Sequence, residues 1–192
     1  MTMGAGGENG GSADVAAQHN ICAPMVADAP ALAAMAQAAF RATFAHMPYP
    51  PHELTAFLDE AMGPARYAAQ IADPAYALRV ARDGDGAIVG FIKMGPNDLP
   101  MPDGEPSLDQ TRELHQLYLL DSAKGSGVAQ RLMAWGMDEA RGHGARALYL
   151  SVFSENIRAQ RFYARHGFVE IGKNPFRVGS TVDDDRVWKC AL

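Results

Sequence analysis

The chain predicts an α/β (α+β) fold, a mixed sheet with helices on its faces, and three observations carry that prediction. Short apolar runs at strand spacing alternate with longer runs at helical spacing, in an order that favours a layered sheet-and-helix structure. The turn Asp83-Gly84-Asp85-Gly86 separates two such runs and marks an antiparallel hairpin. From Glu113 to Gln130, ELHQLYLLDSAKGSGVAQ passes from an apolar strand through a glycine-rich turn into an amphipathic helix.

Taken in order, Ile21 to Val26 suits a first strand, and Asp28 stands as an N-cap with Pro30 in the first turn of a helix. Leu32, Met35, Ala39, Phe40 and Phe44 share one face of the alanine-rich helix 31–44. The prolines of His46-Met-Pro-Tyr-Pro-Pro51 break it, a second helix is expected over 53–62, and Pro64 opens a third to about Ala72. Strands follow at 75–82 and 87–94. Pro96, Pro100, Pro102 and Pro106 make 95–110 an irregular connection.

The glycine-rich segment contributes the next strand and a helix over 127–141, which Gly142 and Gly144 stop. Ala147 to Phe153 is an apolar strand, and a short helix is expected from Asn156 to Arg165. Strands at 168–173 and 186–191, joined by a polar turn holding Asp183, Asp184 and Asp185, end the chain.

Composition limits what such a domain does. The 192 residues fit one domain, and 48% hydrophobic with 20% charged residues is a globular profile. A formal net charge of −5 argues against a nucleic-acid surface. No run of about 18 apolar residues exists to span a membrane. Cys22 and Cys190 form no metal or redox spacing, so a reducing, cytoplasmic setting is expected. Residues 1–19, glycine-rich and polar, read as a flexible tail ahead of a domain over 20–192.

The turn Lys124-Gly125-Ser126-Gly127-Val128-Ala129-Gln130 leaves backbone N–H groups at a helix N-terminus, where the dipole favours an anion. This is a phosphate cradle. A P-loop would end in Gly-Lys-Ser/Thr, which is absent, and a dinucleotide fingerprint would carry Gly or Ala where Gln130 stands.

A second constellation follows the strand 147–153: Asn156, Ala159, Phe162, Tyr163, Gly167 and Phe168, with Ala159, Phe162 and Tyr163 on one helix face. Together the two segments resemble the GNAT superfamily of acyl-CoA-dependent N-acetyltransferases. The family loop, Gln/Arg-x-x-Gly-x-Gly/Ala, is met as Lys124-x-x-Gly127-x-Ala129, with lysine a departure that still offers a point charge. The family's Asn-x-x-Ala-x-x-Phe-Tyr-x-x-x-Gly-Phe is met at every position.

The resemblance implies a mostly antiparallel sheet of six to seven strands, splayed in the middle. It makes acetyl-CoA the cosubstrate, its pyrophosphate on Gly125 to Gln130. Leu117, Tyr118 and Leu119 would pair with the pantetheine arm as an added strand, and Asn156 would bond the cofactor. The Leu119 region would polarise the thioester carbonyl. Tyr163 matches the family tyrosine that faces the CoA sulfur and would act as general acid. Glu113, where several members place a catalytic glutamate, would be the base, with His115 on the same side of the strand.

A base is needed because an alkylamine with a pKa near ~10.4 is neutral in only about one molecule in two thousand at pH 7. The acceptor side falls on the 46–52 loop with Phe44, Tyr49 and Glu53, and on the Asp183–Asp185 turn. Asn174-Pro-Phe-Arg-Val-Gly179 resembles the spermidine/spermine acetyltransferase branch, and the aspartates would steer a polycation. The partner expected is a small-molecule amine. The family also includes homodimers and protein N-terminal acetyltransferases, and an acetyl-CoA sensor without turnover is the competing class.

Overall fold

In the computed structural model, residues 19–192 are described; the expected tail falls, but for His19, outside them. Seven strands form one sheet in the order β1-β2-β3-β4-β5-β7-β6. They are β1 (Asn20–Cys22), β2 (Ala77–Arg82), β3 (Ile88–Gly95), β4 (Thr111–Leu119), β5 (Ala147–Phe153), β6 (Val169–Val178) and β7 (Thr181–Ala191). Every neighbour pair is antiparallel except β4 with β5, so the sheet is mixed and mostly antiparallel.

Five helices cover its faces: α1 (Ala29–Thr43), α2 (Pro51–Met62), α3 (Pro64–Ala72), α4 (Val128–Gly142) and α5 (Ile157–Arg165). Adjacent residues of β3 serve opposite layers. Phe91 packs with Leu32, Leu58 and Tyr67 of α1, α2 and α3, whereas Ile92 packs with Leu132 and Met133 of α4. That period of two gives the sheet a core on each side. Arg112 ties the start of β4 to α4 through Glu139, 2.8 Å away, an ion pair that is nearly all buried.

Three local expectations are corrected. The first strand stops at Cys22 instead of Val26, because Pro24 has no N–H for the ladder, and a short 3-10 turn follows at Val26–Asp28. Asp28 stands at the N-cap position of α1 as expected, but its side chain makes no capping bond; its carboxylate accepts from the Met25 N–H at 2.8 Å and pairs with Arg82 at 2.8 Å. The last two strands are longer than expected, and the turn between them is Gly179-Ser180, with Gly179 at φ +58°. Asp183, Asp184 and Asp185 therefore sit within β7, paired with Phe176, Pro175 and Asn174.

Candidate active site

The strand-to-helix turn is built around two left-handed glycines, Gly125 at φ +83° and Gly127 at φ +81°. A Cβ at either would meet no atom within 4 Å, so the backbone there is open to an approaching group. Val128, Ala129 and Gln130 form the first turn of α4, where no carbonyl lies one turn back to accept from them. Among the described residues, the Gly125 and Gly127 N–H groups have no acceptor either. The Ser126 hydroxyl turns back to the Ala123 carbonyl at 2.6 Å, and Lys124 pairs with Asp121. The loop thus offers main-chain donors, with a lysine held beside them.

From this turn a cleft of about 1040 Å³ runs into the middle of the sheet. Its origin is a parting of strands. β4 and β5 pair only at Thr111–Ala147, Arg112–Leu148 and Glu113–Tyr149. Beyond Glu113, β4 keeps β3 as its partner and β5 keeps β7, and the two diverge as a V. The β4 edge from Leu114 to Leu119 is left without a neighbouring strand and lines the cleft. Such an edge can take an extended ligand arm as an added strand.

α5 closes one side of this V. The Asn156 side chain caps it, accepting from the Ala159 N–H at 3.1 Å, which leaves the amide NH2 as a donor at the cleft wall. Tyr163 lines the cleft at 8% exposure, and among the described residues its hydroxyl has no hydrogen-bond partner. Burial holds the phenol proton well above its ordinary range.

At the closed end of the V, β4 carries a bulge. Lys93 pairs with Gln116 but Met94 with Leu114, which leaves His115 as the extra residue. Gly95 makes room for the ring: a Cβ there would stand 2.7 Å from His115 Nε2. Nε2 lies 3.0 Å from the Pro96 carbonyl and Nδ1 lies 3.1 Å from Glu113 Oε1. The other Glu113 oxygen accepts from the Asp98 N–H at 3.2 Å. Burial raises the Glu113 pKa, and the hydrogen bond from His115 works against that rise. Asp98, Glu113 and His115 place side-chain ligand atoms within 4.8 Å of one another.

Comparison with known proteins decides what this arrangement belongs to. Residues 33–168 match the Acetyltransferase (GNAT) family. The chain belongs to the GNAT acetyltransferases. It is similar to an uncharacterized N-acetyltransferase of Mycobacterium bovis, 36% identical over 137 residues that cover 71% of this chain and 81% of the relative. An uncharacterized N-acetyltransferase of Lactobacillus delbrueckii is 26% identical over 168 residues, 86% of this chain and 92% of that one. In fold it is similar to the PaiA N-acetyltransferase of Thermoplasma acidophilum, solved with coenzyme A, at TM-score 0.72 and 17% identity over 91% of this chain and 99% of that one. An acetyltransferase of Salmonella typhimurium, solved with acetyl-CoA, gives TM-score 0.65 at 22% identity over 91% and 94%. Membership makes the chain an acyltransferase with acetyl-CoA as cosubstrate. No described helix is long and apolar enough to cross a membrane.

The residues expected on the acceptor side of this GNAT acetyltransferase are placed otherwise than the sequence suggested. Phe44 lines the cleft, its ring 6.0 Å from that of Phe153. Glu53 does not reach it: its carboxylate takes the Ser180 N–H at 2.6 Å and hydroxyl at 2.8 Å, fastening α2 to the β6–β7 turn. Tyr49 is also outside the lining, since its hydroxyl donates to the buried Asp183 carboxylate. Alternation along β7 splits the aspartates. Asp184 turns outward to Arg186 at 2.6 Å, and only Asp185 lines the cleft, 3.2 Å from the Ser151 hydroxyl. Desolvation, with the nearby Asp183 and Asp184 charges, raises Asp185 to about 6.

Several lining groups went unnoticed in the sequence. Lys93, Arg66 and Asp98 line the cleft with Glu113, and Phe57 and Phe176 meet edge-on there, 5.6 Å apart. One signal was legible. Lys93 interrupts the apolar run Ile88 to Met94, and a lysine buried in a strand is uncommon.

Proposed function

We propose that the protein acetylates a small primary amine by direct attack on acetyl-CoA, with Glu113 as base and Tyr163 as acid. One observation carries this reading: the parted β4 and β5 open a single cleft that reaches from the glycine turn past Tyr163 to Glu113. The main-chain donors of Gly125 to Gln130 suit a pyrophosphate, and Leu117 and Leu119 on the unpaired edge suit the amide-bearing arm. Lys124, Ser126 and Asn156 flank that path.

The cosubstrate supplies a thioester whose carbonyl carbon accepts the amine and whose sulfur departs. Glu113, working with His115, takes the proton that the nitrogen sheds as the C–N bond forms. β4 N–H groups freed of a strand partner donate to the carbonyl oxygen. Tyr163 hands its proton to the sulfur as the C–S bond breaks. A raised phenol pKa favours a group that is protonated at rest, as an acid must be.

Asp185 favours a second reading of the acceptor, a polyamine, because it is a carboxylate facing the aromatic side of the cleft. The test is thiol release from acetyl-CoA against polyamines, amino acids, small amines and peptide N-termini. Turnover that Glu113→Gln and Tyr163→Phe abolish supports the reading. Acetyl-CoA binding with no thiol released from any acceptor would make the protein a sensor.

A further inference from the structure

Two cations line the acceptor side without an ion-paired carboxylate among the described residues. Lys93, on β3, is 6% exposed; among the described residues its ammonium has one hydrogen bond, to Gln70 Oε1 at 3.3 Å, and no carboxylate at ion-pair distance. Arg66, on α3, is exposed at the same wall and makes no ion pair among the described residues. The other neighbour of the Lys93 ammonium is the Tyr67 ring, 5.9 Å from Nζ, and a buried ammonium held by one amide dipole and one ring face is undersatisfied unless an anion arrives. Of the carboxylates in its field, Glu113 is already held by His115 and the Asp98 N–H, and the exposed Asp98 carboxylate stands beyond ion-pair distance. Desolvation, with Arg66 adding repulsion, lowers the Lys93 ammonium to about 8.

We propose that Lys93 and Arg66 grip an anionic group on the acceptor, so that the amine acetylated belongs to a zwitterion with an apolar body, an amino acid or an aminophosphonate. This rests on the N-acetyltransferase reading above and adds the substrate class. The ladder sets the span. Lys93 pairs with Gln116 and Gly95 with Glu113, so cation and base share a face two strand positions apart, on the order of 7 Å. One amino acid reaches across that distance with its anion on Nζ and its nitrogen at the Glu113–His115 pair. Phe44, Phe57, Phe153 and Phe176 surround the remaining space and suit an apolar side chain. A polycation would meet Lys93 and Arg66 as repulsive charges.

The experiment follows thiol release by the full chain with acetyl-CoA and matched acceptors: apolar L-amino acids, their amides, their decarboxylated amines, the corresponding 1-aminoalkylphosphonates, and spermidine. Carboxylate or phosphonate acceptors are expected to exceed their neutral twins at least tenfold in kcat/KM, and the better anion identifies the source. In Lys93→Met and Arg66→Gln the anionic acceptor should lose at least tenfold more than its amide, so that the selectivity ratio collapses. Arg66 is exposed, so its variant reports even where Lys93→Met folds poorly. Neutral twins or spermidine turned over as well as the zwitterions would overturn the proposal and leave the enzyme standing. Equal losses on both acceptor types would also overturn it. No thiol released from any acceptor, with acetyl-CoA still bound in calorimetry, would remove both readings.

Discussion

Glu113 and His115 face each other at 3.1 Å across the bulge in β4, and the geometry around them ties their protons together. The Pro96 carbonyl at His115 Nε2 can only accept, so that nitrogen carries a hydrogen. Nδ1 then faces the carboxylate oxygen at 3.1 Å, close enough for a hydrogen bond between the two side chains. In the proposed mechanism an amine nitrogen sheds its proton into a pair and not into an isolated acid.

Glu113→Gln keeps the shape of the site and removes the proton acceptor. Turnover should fall by roughly 10²–10⁴ while acetyl-CoA affinity is retained, read by steady-state kinetics and calorimetry. Because burial raises the Glu113 pKa, wild-type activity should decline as pH falls through that raised value, at higher pH than for a solvated glutamate. A variant with an unchanged pH profile would take Glu113 out of the mechanism.

Tyr163→Phe removes one oxygen from a hydroxyl that has no protein partner among the described residues. Folding stability should hardly change, since no hydrogen bond is broken, while kcat falls by about 10²-fold or more. A melting temperature near wild type with lost turnover separates an acid from a packing residue.

Gly127→Ala tests the loop. The new Cβ meets no atom within 4 Å, so its cost comes from placing alanine at φ +81°, roughly 1–2 kcal/mol. The loop should relax away from this conformation, weakening acetyl-CoA binding more than it lowers the melting temperature. The reverse ordering would show that the turn serves the fold alone.

Asp185→Asn should stabilise the protein at neutral pH. The folded carboxyl, at about 6, holds its proton more tightly than an unfolded one at 3.8, so its ionisation opposes folding as pH rises through that window and at all higher pH. The full difference corresponds to about 3 kcal/mol. Solvent screening of this partly exposed group reduces it to about 1 kcal/mol. The expected gain in melting temperature is about 2–4 °C at pH 8, vanishing near pH 4.

Much of the site was legible in particular residues. The strand 147–153 and the helix beginning at Pro64 stand where hydrophobic spacing and proline put them, and Asn156 caps the helix it was expected to begin. The far side of the cleft was not legible in the same way. Glu53 and Tyr49 are near the cleft in sequence terms, yet each is taken by another partner, Ser180 and Asp183, that lies more than a hundred positions away. The three aspartates look like a polar turn until the ladder with β6 claims them.

The sequence by itself determined the period of each element, the glycine-rich turn between strand and helix and the family to which the two motifs belong, because these depend on neighbours a few positions apart. Only the tertiary structure decided where β4 leaves β5, which aspartate faces the cleft, and that Lys93 and Arg66 share a wall with Glu113. Those facts depend on strand register and on contacts between distant segments. A shift of one residue in a strand turns every side chain to the opposite face, and no local pattern records it.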